Sequence, residues 1–420
     1  MQFELLRGVR VVESSAFIAA PLAGLALSQF GADVIRIDLI GGGIDYRRLP
    51  VIPGGRSLYW TGLNKGKRSI AIDIRRPEGR ELVRSLATAP GPGAGVLLTN
   101  MGVPWIAHAL LAQRRPDVVS CTIEGNPDGT TAVDYTVNCA TGLPTMTGSG
   151  SIDGPVNHVL PAWDVACAYQ AAFSIAAALM RRQATGAGAE LRIALSDVAF
   201  STLSHLGTLA EAELLDRERP SIGNDLYGAF GRDFGTADGE RIFVAAISLG
   251  QWKSLVKACA MEDEMKALER STGLDFNDEA ERYEARAGIA AVVERWCASR
   301  TMQQVAEAFN ACKVCWGRYE TVRSLLARDA RVSLANPIFE RIHTPGVGSH
   351  IAAGGAARVM GAERLPIRPA PLLGQDTDAI LAEVLGLDSA AVGKLHDAGI
   401  VAGPEADPLA ARAAEAISTH

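Results

Sequence analysis

Asp164 is the residue in this chain best placed to do chemistry. It ends the polar approach Asn157-His158-Val159-Leu160-Pro161-Ala162-Trp163 and opens a run, Val165 to Met180, without a charged residue. Such a run predicts a buried helix, stopped by Arg181-Arg182 and the Gly186 region. Asp164 then lies in its first turn, where the helix dipole and unpaired N–H groups favour a carboxylate. Two roles fit this position. One is a helix-start Asp that caps. The other is a nucleophilic carboxylate held ionised at the mouth of a buried helix.

Other chemistry-bearing stretches are weaker. Asn64 to Asp73 packs Lys65, Lys67 and Arg68 just before a strand pattern. It reads either as a solvated charged turn or as a phosphate contact for a large anionic ligand such as coenzyme A. Arg75-Arg76 is a second short basic cluster of the same kind. Gly41-Gly42-Gly43 follows the second strand pattern, whereas a dinucleotide loop, GxGxxG, belongs after the first. Nicotinamide binding is disfavoured, and the glycines read as a flexible loop. His158, six residues before Asp164, suits a structural or supporting role. No HExxH stretch and no nucleophile elbow are present. Cys312-Lys313-Val314-Cys315 is a lone CxxC without a second ligand pair. It reads as core cysteines, and no metal site is expected.

The elements that must position Asp164 follow from periodicity. Val9 to Glu13 reads as a strand, Pro21 to Phe30 as a helix stopped at Gly31, and Asp33 to Asp38 as a second strand. Ser69 to Asp73, Gly95 to Asn100, Asp117 to Ile123 and Glu190 to Leu195 add further strands, with a helix from Pro77 between. This β–α–β order predicts a parallel sheet. Ligands of such sheets bind beyond the strands' carboxyl ends, here Glu13 to Phe17, Asp38 to Gly43, Asp73 and Asn100-Met101. A charged break at Asp216 to Pro220 begins a smaller α+β stretch. The expected division is 1–205 for the large domain, 206–335 for linker and small domain, and 336–420 for a return to the large domain with a frayed Ala-rich tail.

Composition narrows the class. The 420 residues are 48% hydrophobic and 21% charged, with net charge −6. These values describe a globular chain without the basic footprint of a nucleic-acid binder. The start lacks a signal-peptide pattern, and the run after Asp164 contains Tyr, Gln and Ser, so a core helix is expected in preference to a membrane span. Seven scattered cysteines predict reduced thiols and a cytoplasmic location.

Several stretches together resemble the class III CoA-transferases, the family of formyl-CoA transferase, carnitine CoA-transferase and α-methylacyl-CoA racemase. They are Gly31 to Asp38, Asn64 to Asp73, Pro77-Glu78-Gly79, the helix start at Asp164, Thr236 to Gly239, and Pro369 to Gly374, in family order along nearly the whole chain. Ile40 to Tyr46, Asp134 to Asn138, Asn157 to Asp164 and Tyr227 to Phe234 resemble a member that moves CoA between the two ends of mesaconate.

The resemblance implies a Rossmann-like parallel-sheet large domain built from both chain ends, a smaller α+β domain, and an interlocked homodimer. It implies a catalytic Asp at Asp164. CoA arrives as part of the acyl-CoA substrate, with no permanently bound cofactor. CoA contacts fall by position on Phe17, Ile18, Arg36, Ile72, Asn100, Met101 and Tyr135. Where many relatives have Asn-Phe-Arg-Pro this chain has Asn100-Met101-Gly102-Val103-Pro104, so Arg36 or Lys67 would replace the missing phosphate contact. Racemases carry a His where this chain has Val133, which counts against racemase chemistry. The implied reaction is intramolecular transfer through an aspartyl anhydride and an aspartyl-CoA thioester. Its alternatives are intermolecular transfer to a free carboxylate and a CoA-binding protein without chemistry. Helix-start N–H groups would hold the oxyanions. Arg47, Arg48 or Arg232 would hold the free carboxylate, and a loop, Asn224 to Arg232, would close over it.

Overall fold

A computed structural model describes residues 3–53, 55–149 and 154–409. The chain separates into two compact units. The first comprises Met1–Thr141, Val159–Leu215 and Ala330–His420; the second comprises Gly142–His158 and Asp216–Asp329. The borders differ from those expected at 205 and 335, because helix Thr208–Leu215 continues the first unit. Gly142–His158, expected in the large domain, groups with the second unit, where the Gly223 N–H donates to the Gly148 carbonyl (2.8 Å).

The first unit is built on six strands: β1 (Arg10–Ser14), β2 (Asp33–Asp38), β3 (Arg68–Ile72), β4 (Val96–Thr99), β5 (Val119–Glu124) and β6 (Ala189–Ala194). Residues Val11 to Ser14, Val34 to Asp38 and Val96 to Thr99 are buried without alternation. That is the pattern of strands covered on both faces. Only β6 alternates between exposed and half-buried positions. The second unit holds an antiparallel sheet of β7 (Phe230–Gly235), β8 (Arg241–Ala246) and β9 (Cys315–Arg318). Its core gathers Trp252, Leu255, Ile289 and Phe309 from the surrounding helices. Back in the first unit come the hairpin β10 (Phe339–Thr344) and β11 (Gly348–Ala353), then β12 (Val401–Ala402).

The large sheet runs β12-β3-β2-β1-β4-β5-β6, with β12 alone antiparallel. The chain leaves β1 in one direction toward β3 and returns to the other side as β4. That reversal opens a crevice at the carboxyl ends of β1 and β4. The fold is therefore mixed α/β with a large parallel sheet.

Helix Ala162–Thr185 ends at Gly186 in the left-handed region (φ 73°), as a glycine C-cap does. It was expected to be buried, and it is buried on one face only. Trp163, Cys167, Ala171 and Ile175 face inward, and the helix packs on Ala19–Gln29. Tyr169, Phe173 and Met180 are exposed. It is long and apolar enough to cross a membrane, but its two-sided character is that of a core helix with one uncovered face. The CxxC also departs from expectation: Cys315 is exposed and Cys312 half-buried.

Behind the ends of β1 and β2 lies a buried ion cluster. Arg36 pairs with Glu13 (3.0 Å), Asp38 (2.8 Å) and Asp45 (3.6 Å), and Lys67 with Glu13 (2.8 Å). All five side chains are essentially without exposure. Charges so deep are tolerated only when fully paired. Burial works to lower the Arg36 pKa, but Asp38, Glu13 and Asp45 together raise it. Burial pulls Lys67 down to about 8 against the attraction of Glu13.

Gly24 makes room for this cluster. A Cβ there would lie 1.8 Å from Glu13 Oε2. Gly24→Ala should displace the Glu13 carboxylate and leave both cations short of a partner, costing about 3–5 kcal/mol as when a buried pair is broken. Urea unfolding measures this, and an unchanged midpoint would remove the cluster from its supporting role.

Candidate active site

The site begins where β1 runs into helix Ala19–Gln29. Phe17 sits at φ +65°, which is an outlier for an aromatic residue. Its neighbours hold it there. Asn100 Oδ1 accepts from the Ala16 N–H (3.0 Å), while its Nδ2 donates to the Ala16 carbonyl (2.7 Å). Asp45 Oδ2 accepts from the Phe17 N–H (3.0 Å), and Arg36 donates to the Ser15 carbonyl (3.1 Å). Strain of this kind costs about 1–3 kcal/mol and persists where the surroundings over-determine it. The strained turn presents Phe17 and Ile18 at the sheet crevice.

The opposite wall is the start of helix Ala162–Thr185. Its N-cap, Pro161, offers no side-chain acceptor. Asp134, buried at the start of helix Asp134–Ala140, supplies one: Oδ2 accepts from the N–H groups of Trp163 (2.7 Å) and Asp164 (3.1 Å). Trp163 Nε1 donates to Asn138 Oδ1 (3.1 Å), which fastens the two helices together. The capping role open to Asp164 thus belongs to Asp134. So do the N–H groups expected to hold an oxyanion.

Among the described residues the Asp164 carboxylate accepts no hydrogen bond from the protein. Burial, and then the negative charge of Asp134, raise its pKa to about 7, with Arg48 acting in the opposite sense. The expectation of a carboxylate kept ionised by helix-start donors is corrected here. Those donors are engaged elsewhere, so the group is poised between its two forms near neutrality.

Asp164 lies in a cavity of about 630 Å³ lined also by Phe17, Arg48, Tyr59, Asn100 and Tyr135. Ile18 lines it too. Six positions anticipated from sequence, Phe17, Ile18, Arg48, Asn100, Tyr135 and Asp164, are thereby brought together. Met101 is half-buried beside Asn100 but off this lining; its N–H goes to Thr99 Oγ1 (2.9 Å). Ile72 is fully buried core of β3. Arg36 and Lys67 were expected as phosphate contacts, but both are consumed by the internal ion cluster with no exposed surface to offer. Arg232 lies in the second unit, 3.6 Å from Asp225, and His158 belongs to that unit as well. Sequence reasoning missed Tyr59 and the capping role of Asp134. Only the stretch Asp134 to Asn138 carried a signal for the latter. Among the described residues no group of His, Cys, Asp and Glu is arranged to hold a metal ion.

A family model described as CoA-transferase family III matches residues 6–377. The chain belongs to CoA-transferase family III. The 2-methylfumaryl-CoA isomerase of Chloroflexus aurantiacus is 49% identical over 96% of this chain and 98% of its own length. The human succinyl-CoA:glutarate CoA-transferase is 26% identical over 94% and 90% respectively. A crystal structure of a CAIB/BAIF family protein from Brucella suis aligns with TM-score 0.74 at 24% identity, over 91% of this chain and 100% of that one. This last likeness concerns the fold alone.

For this family III chain, Asp134→Asn keeps an acceptor oxygen for the two N–H groups but removes the charge facing Asp164. The Asp164 midpoint should fall below its value of about 7, read by carboxyl ¹³C NMR; an unmoved midpoint would exclude the Asp134 charge as a cause. The raised pKa also carries a sign for stability. The protonated fold holds its full advantage below the ordinary value of 3.8 and loses it as pH rises through about 7. Asp164→Asn should accordingly raise the thermal midpoint at pH 8 by a few degrees and leave it nearly unchanged at pH 4.

Proposed function

We propose that this chain converts 2-methylfumaryl-CoA to 3-methylfumaryl-CoA by moving CoA between the two carboxyl groups of one dicarboxylic acid. The observation that carries this reading is the Asp164 carboxylate, without a hydrogen bond from the described residues, in a cavity at the carboxyl end of the sheet. The 49% identity to 2-methylfumaryl-CoA isomerase supports the choice of substrate.

An ionised Asp164 oxygen attacks the C1 thioester carbonyl. The C–S bond breaks, CoA thiolate leaves, and a mixed anhydride forms. The thiolate attacks the aspartyl carbonyl of that anhydride, giving aspartyl-CoA and the free dicarboxylate. The other carboxylate of the same molecule then attacks the aspartyl thioester, releasing thiolate again. Thiolate attack on the C4 carbonyl of the new anhydride restores the Asp164 carboxylate. Covalent catalysis here divides one hard acyl exchange into steps of similar difficulty. A nucleophile with a midpoint near neutrality keeps a useful ionised fraction at pH 7 without being so stabilised that it no longer attacks.

The reading includes a homodimer, interlocked, in the cytoplasm, with no permanently bound cofactor. Support for a second copy comes from the uncovered apolar side of the first unit. Helix Thr208–Leu215 buries none of its residues, although it carries Leu209, Leu214 and Leu215. In the same unit the edge strand β6 and the outer face of the Asp164 helix are also open. Patches of this extent mark association surfaces. A unit assembled from both chain ends, with the other unit between them in sequence, suits threading of two copies. Seven free thiols fit a reducing compartment.

Asp164→Asn and Asp164→Ala should each lower the conversion by at least about 10³-fold, as expected for loss of an essential nucleophile. Conversion retained by either pure variant would sink the assignment. Labelled free mesaconate added during turnover should stay out of the product. Extensive incorporation would establish intermolecular transfer, the activity named for the human relative at 26% identity. Light scattering should give twice the 44.3 kDa chain mass, and a monomer at working concentrations would overturn the dimer.

A further inference from the structure

Arg47, Arg48 and Arg232 were equal in sequence, and the structure separates them. Only Arg48 joins Asp164 in the cavity lining. Its guanidinium carbon stands 5.6 Å from the Phe17 ring centre and 5.4 Å from that of Tyr59. Both distances lie within cation–π range. Among the described residues Arg48 has no ion pair, whereas Arg36 in the same unit has three. The Tyr59 hydroxyl is buried and, among the described residues, has no hydrogen-bond partner. Burial pushes its pKa up to about 12, against the opposing Arg48 charge and with Asp164 adding to the rise, so it stays a proton donor. An orphaned buried hydroxyl is costly and calls for an explanation.

The two donors are held in place from behind. Ser57 Oγ donates to the Arg48 carbonyl (2.5 Å) and accepts from the Trp60 N–H (3.0 Å) at the start of helix Leu58–Leu63, which carries Tyr59. Asp45, three residues before Arg48, holds the Phe17 N–H. Tyr46 is buried, with its hydroxyl donating to Asp407 (2.7 Å). All three members of the clamp, Phe17, Arg48 and Tyr59, therefore sit on backbone that is fastened independently of any ligand. Preorganisation of this kind lowers the entropic cost of binding.

We propose that Arg48 and Tyr59 form a carboxylate subsite that selects acyl groups bearing a second, free carboxyl group. The unpaired guanidinium offers forked N–H donors on one side of a bound carboxylate, and the orphaned hydroxyl donates from the other. The same cation offsets repulsion between that carboxylate and Asp164. This deepens the proposed function, on which it rests for the acyl group, by naming what distinguishes a dicarboxylic thioester from a neutral one.

Binding of unreactive CoA thioethers tests this apart from turnover. Two are needed: one with the acyl C4 as carboxylate, the other with a carboxamide of the same size. At pH 8.5 the wild-type protein should bind the carboxylate about 10²-fold more tightly, the scale of a paired charged hydrogen bond. Arg48→Gln should bring that ratio to within about threefold of one. Arg48→Lys should restore part of the preference, and Tyr59→Phe should reduce it by about 5–10-fold. Equal wild-type binding of the two thioethers would overturn the subsite. So would an Arg48→Gln variant that keeps the preference or weakens both ligands alike. Absence of Asp164-dependent conversion alongside a surviving carboxylate preference would reject the proposed reaction and leave the subsite standing.

Discussion

Which group takes the first N–H groups of the Asp164 helix decides the character of the site. Those donors need a partner when the helix start is buried. Pro161 cannot provide one. Asp134 takes both, and at one stroke it leaves Asp164 with a bare carboxylate and a like charge beside it. Burial and that charge hold Asp164 near neutrality instead of deep in the carboxylate range. A capping arrangement and a reactive arrangement are thus alternatives for Asp164, and one other carboxylate chooses between them.

The opposite wall obeys the same logic of supporting groups behind working ones. Phe17 occupies backbone space that an aromatic residue rarely enters. Asn100, Asp45 and Arg36 hold it there, and Arg36 is held in turn by Glu13, Asp38 and the neighbouring strand ends. Cations that read as ligand contacts in the linear sequence serve as struts. The cation in the cavity lining, Arg48, is not one of these struts. Its partners are aromatic rings, which position a guanidinium without neutralising it.

Much of the first unit was legible along the chain. Val11-Val12, Val34-Ile35 and Val96-Leu97-Leu98 mark strands buried on both faces, and the glycine after Thr185 marks a helix end. The crevice at the ends of β1 and β4 follows from their order. Legibility failed where partners are distant in sequence. Lys67 and Arg36 look alike as exposed or buried cations until Glu13 is seen between them. Tyr59 sits in a short helix with nothing local to mark its hydroxyl. The Asp164 helix looks wholly buried because Tyr169 and Phe173 have the same apolar character as the residues that do face inward.

The sequence by itself determined the strands, the helix that begins near Asp164 and the candidacy of its carboxylate, because periodicity, caps and stops act over a few residues. It also carried the family pattern into which Asp164 falls. Only the tertiary structure decided that Asp164 is not the cap, that Arg36 and Lys67 are internal, and that Arg48 faces the cavity. The first two outcomes depend on which opposite charge or acceptor lies within about 3 Å across the fold, the reach of a hydrogen bond, and the third on two aromatic rings brought beside Arg48. Asp134 stands 30 positions from Asp164 and Glu13 stands 54 from Lys67, and no local rule can pair them.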